Sequence, residues 1–186
     1  MPRGRRCTLP GSGESGRSRQ AFGSSGLPRG ASRPFDDHRR ANVKKRLVKS
    51  PKVYVRDSGL VHTLLRLDTL DDLLGHPVAG MSWEGFVIET LLRAAPERTQ
   101  ASFYRTATGV EMDLVLELPG NRLWAVEIKR GLAPKTEPGT RTALEDLKPD
   151  RAFLVYSGDE RYPRGGGIET IGLRQLAQEL AMLDAA

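Results

Sequence analysis

The sequence predicts an α/β protein built on a mixed sheet, and three observations carry that prediction. Two strand-like runs, Val110–Leu118 and Arg122–Lys129, flank the tight-turn residues Pro119-Gly-Asn121. A helical-period apolar stripe (Trp83, Phe86, Val87, Leu91) precedes them. Beyond them the pattern alternates helix, strand and helix, which a layered α/β architecture accommodates.

The elements follow in order. Lys49 to Val55 reads as a short strand after a basic turn, and Asp57 caps a helix running to Leu65. Thr69-Leu-Asp-Asp72 forms a capping-box-like start with Asp in place of Glu, and Gly75 ends that short helix. Ser82 to Ala95 makes the longer helix, stopped by Pro96. Three strands come next, at Ala101–Thr106, Val110–Leu118 and Arg122–Lys129. A helix near Arg141–Leu147 leads to strand Ala152–Ser157. A glycine loop (Gly165, Gly166, Gly167), a short strand near Ile168 and a closing helix Leu173–Leu183 complete the chain.

Charge divides the molecule. Residues 1–50 hold 13 basic and 3 acidic side chains, a net +10; the remaining 16 basic and 20 acidic residues give positions 51–186 a net −4. The overall basicity therefore describes the N-terminal stretch, and no nucleic-acid footprint can be argued from net charge. Residues 1–41 are rich in Gly, Ser, Arg and Pro, a composition predicting disorder, with a domain over 42–186. That stretch reads either as a basic tail touching nucleic acid or as sequence without a structural role. Within it, Gly11 to Ser18 nearly matches a phosphate-binding loop, but Arg17 replaces the lysine and no strand precedes it. No run approaches the roughly 20 apolar residues of a membrane span, and no apolar signal core follows the charged start. A cytoplasmic location is the expectation. The single Cys7 excludes an internal disulfide and a multi-cysteine metal centre.

One constellation carries chemistry. In Trp124-Ala-Val-Glu-Ile-Lys129, alternation sends Val126 and Ile128 to one face and Glu127 and Lys129 to the other. Asp113 lies on the preceding strand and Glu84 beside the apolar stripe of the long helix. A hairpin with Asp on one arm and Glu-x-Lys on the other gathers two carboxylates and an ammonium. Carboxylates suit Mg²⁺, which keeps several waters and acidifies one of them, while a lysine stabilises developing negative charge. The same residues also fit a solvated strand face with a weak ion pair. His62 and His76 lack convergent partners and read as surface or capping residues. Glu89 stands about 500° of helical rotation from Glu84, so the two do not share a metal. Glu111 shares the strand face of Asp113, and Tyr104 and Arg105 lie on a neighbouring strand.

Trp83-Glu84-Gly-Phe-Val-Ile-Glu89, Gly109-Val-Glu-Met-Asp113-Leu-Val-Leu-Glu117 and Val126-Glu127-Ile-Lys129 resemble the three motifs of the PD-(D/E)XK nuclease superfamily. More narrowly, Lys49-Ser-Pro-Lys-Val-Tyr-Val-Arg-Asp57-Ser-Gly59-Leu resembles the opening of the domain of unknown function 4143. The resemblance spans about residues 42–183. It implies a restriction-endonuclease-like mixed sheet flanked by helices. It also implies Asp113 and Glu127 as metal ligands for Mg²⁺, Lys129 as the catalytic lysine and Glu84 as an accessory carboxylate. Such domains close AAA-type ATPases, so the chain reads as a fragment whose ATPase part is missing. Two functions follow as expectations: Mg²⁺-dependent DNA phosphodiester hydrolysis, or a non-catalytic module that binds DNA, an ATPase module or another protein partner.

Overall fold

The computed structural model describes residues 32–37 as backbone and residues 52–183 in full. Strands β1 (Ser32–Asp37) and β2 (Lys52–Val55) come first, followed by helices α1 (Ser58–Leu64), α2 (Leu70–Gly75) and α3 (Val78–Ala94). A meander of β3 (Gln100–Arg105), β4 (Glu111–Leu118) and β5 (Arg122–Ile128) leads to α4 (Pro138–Leu147) and β6 (Arg151–Tyr156). The hairpin β7 (Tyr162–Gly165) and β8 (Ile168–Gly172) and the helix α5 (Leu173–Met182) close the chain. The strands form one mixed sheet in the order β2-β1-β3-β4-β5-β6-β8-β7. Pairing is antiparallel from β3 to β5 and parallel across β5, β6 and β8.

Local chemistry sets most boundaries. Asp57 accepts the Leu60 amide at 3.2 Å to cap α1. Both bonds of the Thr69/Asp72 capping box are present at α2. The three-residue β4–β5 turn, between paired Leu118 and Arg122, places Gly120 (φ 80°) and Asn121 (φ 59°) in the left-handed region that glycine and asparagine tolerate. Helix α3 starts four residues before the predicted Ser82, because the His76 ring accepts the Val78 amide at 3.1 Å. Ser82 caps nothing and bonds His62 at 2.6 Å. Helix α4 likewise starts early, at Pro138, whose fixed φ suits the first helical turn.

Helices cover both faces of the sheet. On one face, Val87, Ile88 and Leu91 of α3 and Leu176 and Leu180 of α5 meet Leu114, Leu116, Trp124, Val126, Phe153, Val155 and Ile171. On the other, Ala143 and Leu147 of α4 pack against Tyr104, Met112, Val115 and Ala125. Phe86, expected in the buried stripe, is 48% exposed, and Ile88 takes its place. Trp124 is buried, whereas Trp83 is only partly so and packs at the margin of the core. Val53 and Val55 stay 54% and 40% exposed on β2. Among the described residues, no helix is long and apolar enough to cross a membrane.

Three features depart from the sequence reading. Ser32–Asp37 forms a strand although it falls inside the stretch 1–41 expected to be disordered. The rest of that stretch lies outside the described residues, with Cys7, the Gly11–Ser18 segment and the basic cluster from Lys44 to Lys49. Tyr162-Pro-Arg-Gly165 pairs as an edge strand, where a proline without an amide proton is tolerated. Finally, β4 carries one extra residue between Met112 and Val115 relative to β3, opposite Phe103. Bulges of this kind redirect side chains, and this one contains Asp113.

Candidate functional site

The bulge, the end of β5, the first half of α3 and the edge strand β2 surround one open pocket of about 510 Å³. Its polar lining includes Lys52, Tyr54, Glu84, Arg105, Glu111, Asp113, Glu127, Lys129 and Glu137. All four residues singled out from the sequence (Glu84, Asp113, Glu127 and Lys129) are therefore brought together.

Asp113 is held by backbone as well as by charge. Its Oδ2 accepts the Ile128 amide at 2.9 Å, which ties the β4 bulge to the end of β5. Burial, reinforced by repulsion from Glu127 and then Glu84, pushes its carboxyl up to about 7 despite nearby Lys52. Glu127 is only 6% exposed and sits on the α4 side of β5. Burial raises its carboxyl above the ordinary range, against the pull of Lys129 at 3.0 Å. Lys129 continues the ladder through its amide, which donates to the Val155 carbonyl at 2.9 Å. Burial alone would lower its ammonium, but hydrogen bonds to Glu137 (2.8 Å) and Glu127 hold it above the usual lysine range. Lys129 is thus a fixed positive charge rather than a proton acceptor.

Three ionisable lining residues escaped the sequence reading: Glu137, just before α4, and two from β2. Lys52 places its Nζ 3.0 Å from Glu84 and 3.3 Å from Asp113, and also contacts Glu111. Burial would lower this ammonium too, but Asp113, Glu111 and Glu84 together hold it well above the usual range. Tyr54 donates its hydroxyl to Glu84, and burial followed by that bond raises its phenol. Its ring lies against Gly85, where an added Cβ would stand 3.3 Å from Cδ1, so the missing side chain lets β2 approach α3. Lys52 and Tyr54 are two apart on a strand and therefore share a face. That spacing was the available signal.

The remaining candidates separate clearly. Glu111 is gripped by the Nε and Nη2 of Arg105, at 3.1 and 2.9 Å, and by Lys52. Burial alone would raise its carboxyl, but these cations lower it overall. Arg105 lines the pocket, whereas Tyr104 is fully buried on the opposite side and donates to Asp146 at 2.7 Å. Glu89 points elsewhere, pairing with Arg56 and Arg93 at 3.0 Å each. His62 and His76 serve the hydrogen bonds described above and reach no cluster. Among the basic residues of β2 and the turn after it, Lys52 and Arg56 are both engaged with internal carboxylates.

The donor set fits a hard cation in kind, because every candidate ligand is a carboxylate oxygen. It is not arranged as a finished metal site. Among the described residues, no group of three or more His, Cys, Asp or Glu side chains is already positioned to hold a metal ion. Ammonium groups stand at the carboxylates instead, Lys52 on one side and Lys129 on the other.

A mixed sheet with helices on both faces and a carboxylate–lysine pocket at its edge defines the class of domain. The chain matches the domain of unknown function DUF4143 over residues 79–176, from α3 into α5, and belongs to that family. A second domain of unknown function, DUF8612, matches residues 32–71 and takes in β1, β2 and α1. The pocket therefore draws Lys52 and Tyr54 from one matched segment and its other polar residues from the second. Uncharacterized proteins of Mycobacterium bovis and Mycobacterium tuberculosis are each 40% identical to it over 136 residues. That alignment covers 73% of this chain and 30% of each relative, so the chain spans under a third of the length of the curated relatives it matches. No solved structure matches it.

Proposed function

We propose that the pocket is a divalent-cation site for phosphodiester hydrolysis, with DNA as the substrate class. The observation that carries this reading is the convergence of Glu84, Asp113, Glu127 and Lys129 on one open pocket. Among the described residues, the lining sets five carboxylates (Glu84, Glu111, Asp113, Glu127 and Glu137) against three cations (Lys52, Arg105 and Lys129), with Asp113 buried among them. Such an excess of negative charge is what a divalent cation relieves. Asp113 and Glu127 would hold Mg²⁺, with Glu84 as the accessory carboxylate. The ion would supply an acidified water and neutralise charge at the phosphate. Lys129, fixed between Glu127 and Glu137, would stabilise negative charge developing on the phosphate oxygens.

Calorimetric titration of Mn²⁺ into the full chain tests this directly. Binding is expected in the wild type and lost in Asp113→Ala. DNA cleavage in the presence of the ion should fall about 10²–10³-fold in Lys129→Ala, the usual cost of removing one transition-state charge contact. A folded wild-type chain that binds no Mn²⁺ would remove the basis of the mechanism.

One observation favours a second reading. The Lys52 ammonium already stands among three carboxylates, and positions 51–186 carry a net −4. A domain that satisfies its own acidic cluster can serve as a non-catalytic module, binding DNA, an ATPase module or another protein partner. Under this reading Asp113→Ala and Lys129→Ala leave partner binding intact.

A further inference from the structure

We propose that Lys52 is a built-in counter-cation that competes with the divalent ion for the same carboxylates, so that loading the site requires strand β2 to withdraw this side chain. The proposal rests on the divalent-cation reading above and adds its regulation. An ammonium has three donor hydrogens, and Lys52 has three carboxylates to receive them: Glu84 at 3.0 Å, Asp113 at 3.3 Å and Glu111 in contact. The side chain is 12% exposed, and its Nζ also lies 5.8 Å from the centre of the Phe103 ring. The place where the acidic side chains of α3 and β4 converge is thus already filled by a positive charge. A divalent ion bound to Asp113 would sit within a few ångströms of Lys52 if the lysine stayed. Like charges that close repel strongly at the low effective dielectric of a partly buried site. The two cations therefore exclude one another.

The placement of Lys52 makes withdrawal feasible. Strand β2 is four residues long and lies at the edge of the sheet beside β1, outside the β3–β8 core. Neighbouring Val53 and Val55 are exposed, so Tyr54 is the residue of β2 that would leave apolar contacts as the lysine moves. Tyr54 of the same strand holds Glu84, so displacement of β2 would release that carboxylate together with the ammonium. The counter-cation also lies in the segment matching DUF8612, whereas the carboxylates lie in the segment matching DUF4143. Anything that acts on the first segment can thereby set the cation affinity of the second.

The test is Mn²⁺ titration of the full-length wild type beside Lys52→Met, which keeps an unbranched side chain one atom shorter and removes the charge. Affinity is expected to rise at least tenfold in Lys52→Met. Wild-type binding with equal or weaker affinity in the folded variant would overturn the proposal and leave the divalent-cation reading standing. Absence of binding in both folded proteins would overturn both. Because Lys52→Met leaves carboxylates unpaired and can impair folding, a second measurement uses the wild type alone. Brief acylation read by mass spectrometry should label Lys52 several-fold faster at saturating Mn²⁺ than in chelator. Unchanged labelling at a demonstrably occupied site would refute the competition.

Discussion

Replacing Phe153 with alanine is expected to destabilise the fold by about 3–5 kcal/mol, the usual cost of deleting a fully buried phenylalanine. Phe153 is 1% exposed on β6, in the middle of the parallel part of the sheet. Its ring centre lies 5.1 Å from that of Trp124. The Arg151 guanidinium stands 4.6 Å from the Phe153 ring and 5.0 Å from Trp124, held there by Glu169 at 3.1 Å and by Glu179 of α5. Truncation would remove the central contact between β5, β6 and α5 and leave a hole that such a crosslinked neighbourhood cannot easily collapse. For a chain of this size the melting temperature should fall by roughly 10–15 °C. Urea unfolding followed by circular dichroism measures the loss. A change under about 1 kcal/mol would contradict the central position of β6. Phe153 does not line the pocket, so Mn²⁺ affinity in the folded fraction should be unchanged.

Much of this architecture is written in short-range signals. The Asp57 cap, the Thr69/Asp72 box, the Gly120-Asn121 turn and the alternation of Val126, Glu127, Ile128 and Lys129 act over a few residues, and each appears where its chemistry places it. What the sequence conceals depends on distant partners. Ser32–Asp37 has no alternating apolar pattern and is a strand because β2 and β3 flank it. Tyr162–Gly165 is a strand because β8 offers an edge. The bulge at Asp113 is a mismatch between β3 and β4, which neither strand reveals alone. The four carboxylate and lysine positions were legible because spacing within β4, β5 and α3 fixes their faces. Lys52 and Tyr54 were not, since their relevance depends on β2 meeting α3 across some thirty residues of chain.

Asp113→Asn is expected to stabilise the cation-free protein at neutral and alkaline pH, an unusual sign for removing one partner of an ion pair. The direction follows from linkage. Asp113 has its carboxyl raised from 3.8 to about 7 in the fold, so the folded state binds its proton more tightly than the unfolded chain does. The associated stability is complete below the unfolded value and is lost as pH rises through about 7. At about 1.4 kcal/mol per pH unit the wild type would lose at most roughly 4 kcal/mol over that window. Sharing of charge with Glu127 reduces the expected gain in Asp113→Asn to about 2 kcal/mol at pH 8, and to almost nothing at pH 4. The asparagine oxygen can still accept the Ile128 amide, so the bulge keeps its tie to β5. Urea midpoints in chelator at pH 4, 6 and 8 decide the sign. If the variant were instead less stable at pH 8, the Lys52 pair would outweigh repulsion from Glu127 and Glu84, and the pocket would carry no unrelieved negative charge for a divalent ion to neutralise. Adding Mn²⁺ should then reverse the order in the case proposed here. The wild type gains stability in proportion to the logarithm of ion concentration over its dissociation constant, while Asp113→Asn, lacking the ligand charge, gains little.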